Sequence, residues 1–374
     1  MNYLLFLLLV SGFVYSLVVM ILVRALGKIR SGSSDEKPFV SVVIAARNES
    51  SIVTRCITAL MAQDYKPDLF EVIIVDDRSE DVTYEVLLHF QSIWDNLKVI
   101  RIDTVPHGLS PKKHALSRAI ELACGEIILQ TDADCIVPET WISGMVSRFE
   151  ENIYMVAGVA PYLSGSGALN SFVRHEYLWN VALSGGSIVL GHGNHASARN
   201  LGFRRQVFEH IGGYSSMDRV MSGDDTLLLH RIQKLHTRGV VTMPDRSTHT
   251  YTKAPEDIGS FFHQRVRHMS TGKYFDPVLL GIGCFVYGYH ALTIVLFFLS
   301  LVSFQAFAGF ICSFVWKNAV DGIVAWRIKT VFGLDVEWRR FILNEFLMVV
   351  YMTLLPAAGL FFPVKWKENQ LKKN

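Results

Sequence analysis

Two carboxylates separated by one residue, Asp132 and Asp134 in Gln130-Thr131-Asp132-Ala133-Asp134, follow a short apolar run. On an extended chain such a pair projects to one side, so both can share one cation. Hard divalent ions such as Mg²⁺ or Mn²⁺ take one or two carboxylates and complete their shell with water and phosphate oxygens. The pair therefore fits a metal–diphosphate complex, the alternative being a solvated strand end. A second acidic pair, Asp76-Asp77, closes the run Val72–Val75, and Ala45-Ala46-Arg47-Asn48-Glu49 closes the run before it. Carboxylates there can accept hydrogen bonds from a uracil imide or a ribose hydroxyl, and Arg47 can face a phosphate. The competing use of these loops is helix capping by Asn48 and Ser79.

Further along, Ser222-Gly223-Asp224-Asp225 precedes an apolar helical stretch, where acidic residues also suit a helix N-terminus. A hydroxyl that attacks must lose its proton, and a carboxylate raised in pKa by burial beside another is a suitable base. Asp225 is the candidate, with Asp224 as its neighbour. Gln264-Arg265-Val266-Arg267-His268 lies just before a long apolar region, where a basic cluster commonly meets lipid headgroups. Arg267 can equally offset charge on a departing diphosphate. His192 and His195 invite a zinc reading, but the sequence offers no third ligand nearby. Gly212-Gly213 suits a tight turn.

These groups need a scaffold. The apolar runs Val40–Ala46, Val72–Val75, 99–102 and Ile127–Gln130 alternate with helical spacing over 51–63 and 112–124. Strand–helix repetition of this kind predicts an α/β domain with a mostly parallel, Rossmann-like sheet, and ligands in such sheets bind at the carboxyl ends of the strands. Ser110 as N-cap, Pro111 at the first turn and Gly125 beyond the end mark the last of these helices. A dinucleotide dehydrogenase is set aside, because no G-x-G-x-x-G follows the first strand.

Of the 374 residues, 50% are hydrophobic and 19% charged, with a net charge of +2, which gives no reason to expect nucleic acid as a partner. Residues 2–23 carry no charge and are followed by Arg24, Lys28 and Arg30. That is the pattern of a membrane span with the following segment in the cytoplasm. Residues 278–315 contain no Asp, Glu, Lys or Arg and predict a membrane hairpin turning near 300–305. Extending its second arm past Trp316 would admit Lys317 and Asp321, each costing about 2.5–3.5 kcal/mol at mid-bilayer. A short or tilted arm is therefore expected. Residues 341–364 are a further candidate span. The resulting division is 1–24 as anchor, 25–38 as linker, 39–275 as cytosolic domain, 276–364 as membrane region and 365–374 as basic tail, and it implies an integral membrane protein of the cell's inner or plasma membrane. Five cysteines without a C-x-x-C pair suit a reducing compartment.

In order along the chain, Val40–Ala46 with Glu49, then Val72–Val75 with Asp76-Asp77-Arg78-Ser79, Lys113-His114-Ala115-Leu116, Asp132-Ala133-Asp134, Gly202-Phe203-Arg204-Arg205, Gly212-Gly213-Tyr214, Gly223-Asp224-Asp225 and Gln264-Arg265-Val266-Arg267 resemble the membrane-bound family 2 glycosyltransferases. That branch includes cellulose, chitin and hyaluronan synthases and ceramide glucosyltransferase. The resemblance implies a GT-A fold and inverting, metal-assisted displacement from a nucleotide-diphosphate sugar, a uridine donor being the working expectation. It assigns Ala46, Arg47, Glu49, Asp76, Asp77, Lys113 and Asp132 to the donor. Asp132 and Asp134 would hold Mg²⁺ or Mn²⁺, and Asp225 would be the base beside Asp224. Gln264, Arg265, Arg267 and His268 would face the diphosphate and acceptor. The family's Q-x-x-R-W ends here in His268, and few spans are available for a polymer channel. Single addition to a lipid, lipid-linked or glycan acceptor among membrane lipids is therefore expected. Processive synthesis is the alternative, and a non-catalytic sugar-nucleotide receptor the remote one. Protein partners, the sugar and the linkage are left open.

Overall fold

The computed structural model describes residues 2–106, 109–214, 223–269, 276–361, 365–366 and 369–370, side chains being described only through residue 355 and not at 2, 268 and 269. Ser222 and most of the 365–374 tail lie outside these. The chain forms two compact units: Ile29–Leu163 with Ile188–Lys253, and Met1–Lys28 with Ser164–Ser187 and Ala254–Asn374.

The first unit is built on a seven-stranded sheet. Its strands are β1 (Val40–Ala46), β2 (Phe70–Asp77), β3 (Leu97–Ile102), β4 (Ile127–Gln130), β5 (Met155–Ala157), β6 (Leu201–Arg204) and β7 (Val240–Thr242). The spatial order is β3-β2-β1-β4-β6-β5-β7. β1, β2, β3 and β4 are mutually parallel, whereas β6 runs antiparallel to both β4 and β5. The mostly parallel α/β sheet expected from the alternating runs is present.

Continuous apolar runs serve here because both faces of the sheet are covered. Alternate side chains of β1 and β2 enter different cores: Val42, Ile44, Val72 and Ile74 pack on one face, and Val43, Ile73 and Val75 on the other. The helix α2 (Val53–Met61) covers the first face through Val53, Cys56, Ile57 and Leu60, at helical spacing. α3 (Thr83–Gln91) follows β2. α4 (Pro111–Glu121) covers the other face through Ala115, Leu116, Ala119 and Ile120. Ser110 precedes α4 in extended backbone and Pro111 opens it, as the sequence suggests. Gly125 has a different reason: a Cβ there would lie 2.3 Å from the backbone nitrogen of Ser41, so the approach of chain to strand excludes a side chain. α5 (Trp141–Val146), α7 (Arg205–His210) and α8 (Asp224–Leu235) complete this unit, and Gly212 and Gly213 turn the chain after α7 with φ of 78° and 55°.

The second unit is helical: α1 (Asn2–Leu26), most of α6 (Ala168–Val189), α9 (Ile258–Met269), α10 (Pro277–Leu299), α11 (Phe304–Phe332) and α12 (Phe341–Phe361). Among the described residues, three stretches, Tyr3–Leu26, Pro277–Leu299 and Phe304–Phe332, are long and apolar enough to cross a bilayer. The hairpin turns between Leu299 and Phe304, close to the expected place. Asp276 caps α10 by accepting from the Val278 amide at 2.8 Å. The second arm is not short. α11 continues to Phe332 and buries Lys317 and Asp321, because their charges are paired: the Lys317 ammonium donates to Asp321 at 2.5 Å and to Glu345 of α12. Glu345 also meets His175 at 2.9 Å, and the Tyr15 hydroxyl donates to Asp321 at 2.7 Å. A cost reckoned for isolated charges does not apply to a closed network.

Candidate active site

Parallel pairing brings the carboxyl ends of β1, β2 and β4 to one edge of the sheet, with β1 at the point where strand order reverses. The chain leaves β1 through Arg47, which is half-buried, and Asn48, whose φ is 55°. It leaves β2 through Asp76, Asp77 and Arg78, whose φ is 53°. The two loops are stitched together. The Asn48 amide donates to Ser79 Oγ at 3.0 Å, the Glu80 amide to Asn48 Oδ1 at 2.8 Å and the Glu49 amide to Thr83 Oγ1 at 2.9 Å. Asn48 and Ser79 thus cross-link the strand ends and do not cap their own helices. Asp81 accepts from Ser50 and Thr83, and these hydrogen bonds outweigh burial to hold its carboxyl down at about 2.

Ala46 is 1% exposed and contributes backbone at this edge. Asp77 is buried and its carboxylate is held by the Arg78 guanidinium at 2.8 Å. Asp76 is fully buried: Oδ2 accepts from the Ser79 amide at 3.4 Å, while Oδ1 has no partner among the described residues.

Beyond β4 the acidic pair sits on a turn, not on extended chain. The Cys135 amide donates to the Asp132 carbonyl at 3.1 Å, placing the two carboxylates at the first and third positions of a β-turn. Thr131, Ala133 and Cys135 are buried while Asp132 and Asp134 are half-exposed, so both acids still share the open side. Asp134 accepts from Thr252 Oγ1 at 3.3 Å. Asp132 accepts from the Lys112 ammonium at 2.7 Å. The sequence points to Lys113, but the Lys113 side chain is buried at 1% exposure, and its neighbour Lys112 is the one that reaches Asp132. Helical geometry separates the two by about 100°, so one neighbour reaches the open edge and the other turns inward. A lysine in the first turn of a helix after a β-strand loop, followed by an apolar stripe, is the signal that could have found it.

Asp224 and Asp225 open α8, after Gly223 in the left-handed region with φ of 80°. Asp225 Oδ2 accepts from the Ala198 amide at 2.9 Å and Oδ1 from the Thr226 amide at 2.6 Å. Asp224 is 7% exposed, and its Oδ2 has no partner among the described residues. Burial pushes both carboxyls above the ordinary aspartate range, the charge of Asp225 raises Asp224 further, and that of Asp132 raises both. Burial alone would lower the Lys112 ammonium, but the fields of Asp132, Asp224 and Asp225 outweigh it and hold the group well above its usual pKa. Lys112 is therefore a fixed cation within reach of three acids drawn from two distant segments of sequence. The loop that carries Ala198 is fastened by Asn200, which donates to the Val159 and Thr248 carbonyls and accepts from Trp141 Nε1. His195 is within hydrogen-bonding distance of Thr226 Oγ1, at 3.2 Å.

Among the described residues no three His, Cys, Asp or Glu side chains gather closely enough to enclose an ion. The available donors are nonetheless of the right kind: half-exposed carboxylates on Asp132 and Asp134, and a buried carboxylate oxygen on Asp224 lacking a donor. They fit a hard divalent cation that draws its remaining ligands from phosphate and water.

In the helical unit, Arg265 of α9 is buried, donates to Glu176 at 2.5 Å and to Gln264 Oε1 at 3.0 Å, and stacks on Phe261. Its guanidinium is thus engaged within this unit. Gln264 and Arg267 are half-exposed, and the His268 side chain lies outside the described residues.

Residues 41–212 match the family described as Glycosyl transferase family 2. The chain is 28% identical over 189 residues to the glycosyltransferase AglE of Haloferax volcanii, covering 50% of this chain and 59% of that one. It is 34% identical over 113 residues to a beta-monoglucosyldiacylglycerol synthase of Trichormus variabilis, covering 30% and 24%. The matched regions span less than two thirds of either relative. Among solved structures, the mannosyltransferase PcManGT from Pyrobaculum calidifontis, in complex with GDP-Man and Mn²⁺, superposes with a TM-score of 0.63 at 17% identity, over 96% of this chain and 98% of that one. That likeness is one of fold. Strand-end acids on a mostly parallel sheet of GT-A fold thus lie within the region, residues 41–212, that is similar to the Glycosyl transferase family 2 domain.

Proposed function

We propose that this protein transfers a sugar from a nucleotide-diphosphate donor to a hydroxyl of a lipid, lipid-linked or glycan acceptor, by a single inverting displacement at a membrane surface. The observation that carries this reading is the Lys112–Asp132 ion pair set beside the buried acids Asp224 and Asp225 at the carboxyl edge of β1 and β4. Asp77 and Asp76 receive the nucleotide, with Arg47 and Glu49 beside them on the loop after β1. Asp132 and Asp134 hold the divalent cation, which when bound masks diphosphate charge. Lys112 adds a second positive charge at the same edge, where it balances the three acids while the donor is absent.

Asp225 accepts the proton of the attacking hydroxyl. The hydroxyl oxygen forms the new bond to the anomeric carbon as the bond to the diphosphate oxygen breaks, and the diphosphate leaves with the electron pair. Two backbone amides fix the Asp225 oxygens, so the base is oriented before the acceptor arrives. Arg267 is assigned to offset charge on the leaving diphosphate.

The lipid acceptor is supported by the printed activities of relatives, among them beta-monoglucosyldiacylglycerol synthase and a glucosyl-dolichyl phosphate glucuronosyltransferase of Haloferax volcanii. The metal is supported by the Mn²⁺ of the structural neighbour. Basic residues after α1 support a cytoplasmic face for the domain. The test is Asp225→Asn. Donor binding is expected to persist while transfer falls about 10²–10⁴-fold. Full transfer by that variant would remove Asp225 as the base. Stoichiometric donor binding by the parent protein with no consumption of donor would instead favour a receptor.

A further inference from the structure

A shallow recess with room of about 30 Å³ opens beside Asp134, within the sheet unit, and its lining does not include Lys112, Asp224 or Asp225. Ile52, Ile136, Leu163 and Tyr251 give it a mainly apolar lining. Two cations border it, Arg55 on α2 and Lys253 after the Ile136–Tyr251 bridge. Both are exposed, and neither has an ion-pair or hydrogen-bond partner for its side chain among the described residues. Thr252, 4% exposed, turns its hydroxyl to Asp134. The walls are tied by backbone: Ile136 exchanges hydrogen bonds with Tyr251, and the Leu163 amide donates to the Thr252 carbonyl at 2.8 Å.

An apolar floor with two unpartnered cations and one carboxylate at its edge has a net positive rim. It suits an amphiphile whose head is a phosphate and whose body is an alkyl chain. Leu163 and Lys253 are the last residues of their segments of the sheet unit, so the whole lining belongs to that unit. We infer that the recess is a binding site for a long-chain alkyl phosphate, with Arg55 and Lys253 receiving the phosphate and Ile52, Ile136 and Tyr251 the first carbons of the chain. On the function proposed above, this ligand is the acceptor or part of it, and the inference rests on that reading.

The same chemistry could come from the diphosphate of the donor, so the experiment separates the two. Binding to the full chain in detergent micelles with Mg²⁺ is measured for dodecyl phosphate, dodecanol, inorganic phosphate and a nucleoside diphosphate. The parent protein and the Arg55→Gln/Lys253→Gln double variant are compared. Both changed side chains are exposed, so the fold is retained. The expected result is that the double variant binds dodecyl phosphate about tenfold or more weakly, as loss of charge-assisted hydrogen bonds dictates, with nucleoside diphosphate binding unchanged. Dodecanol and inorganic phosphate should each bind the parent more weakly than dodecyl phosphate. Equal dodecyl phosphate affinity in both proteins overturns the inference, as does parallel loss of nucleoside diphosphate, which would give the cations to the donor. Absence of nucleoside diphosphate binding by the parent would strike the proposed function itself.

Discussion

The acids at the head of α8 illustrate how a single side chain carries two opposed demands. Asp224 and Asp225 are raised by burial, so folding favours their protonated forms. That contribution is present below the ordinary aspartate pKa and is lost as pH rises through the raised value. Asp224→Asn is therefore expected to melt above the parent at neutral pH and to converge with it near pH 4. Thermal scans across that range decide the matter, and a lower melting point at neutral pH would refute the assignment. For activity the sign is reversed. A base must be deprotonated, so transfer should rise with pH through a value above the usual carboxylate range, and the limb should vanish in Asp225→Asn. Asp134→Ala is expected to remove divalent-dependent nucleotide binding, and calorimetry showing unchanged binding would count against its role as ligand.

Elements set where such residues can stand. Gly125 lets the chain from α4 cross Ser41 at the start of β1, and Gly125→Ala places a methyl 2.3 Å from a backbone nitrogen that has little room to move. Overpacking of that kind costs about 1–3 kcal/mol, which chemical denaturation would register. In the helical unit, Lys317 ties two turns of α11 to α12 through Asp321 and Glu345. Lys317→Met leaves two buried carboxylates without their cation, and a loss of about 3–5 kcal/mol is expected. Adding Asp321→Asn and Glu345→Gln should restore much of it. Failure of the triple variant to recover, read as melting in detergent, would show that the lysine acts through packing.

Across the whole molecule, a sheet unit bearing the acids is interleaved in sequence with a helical unit that has, among the described residues, three bilayer-length apolar helices. The chain crosses between them four times, at 28–29, 163–164, 187–188 and 253–254. A protein organised in this way should remain with the membrane fraction through alkaline extraction. Sizing the product made from radiolabelled donor tests how many sugars are added. One added unit is expected, and a long ladder would establish the processive alternative.

The strands, the covering helices and the apolar helices were legible in the sequence because each is written locally, in runs of period 2, period 3.6 or uniform apolarity. The order of the acidic motifs likewise pointed to the family that the matched region bears out. Three things were decided only by the tertiary structure. Lys112 was chosen over Lys113 by the rotation of α4 relative to the sheet edge. Lys317 and Asp321 became tolerable inside α11 because Glu345, on another helix, closes their network. Asp224 and Asp225 were raised, and joined electrostatically to Asp132, by burial against segments far away in the chain. Local pattern fixes what an element is, whereas the field at a side chain depends on every charge and every excluded water that folding gathers around it.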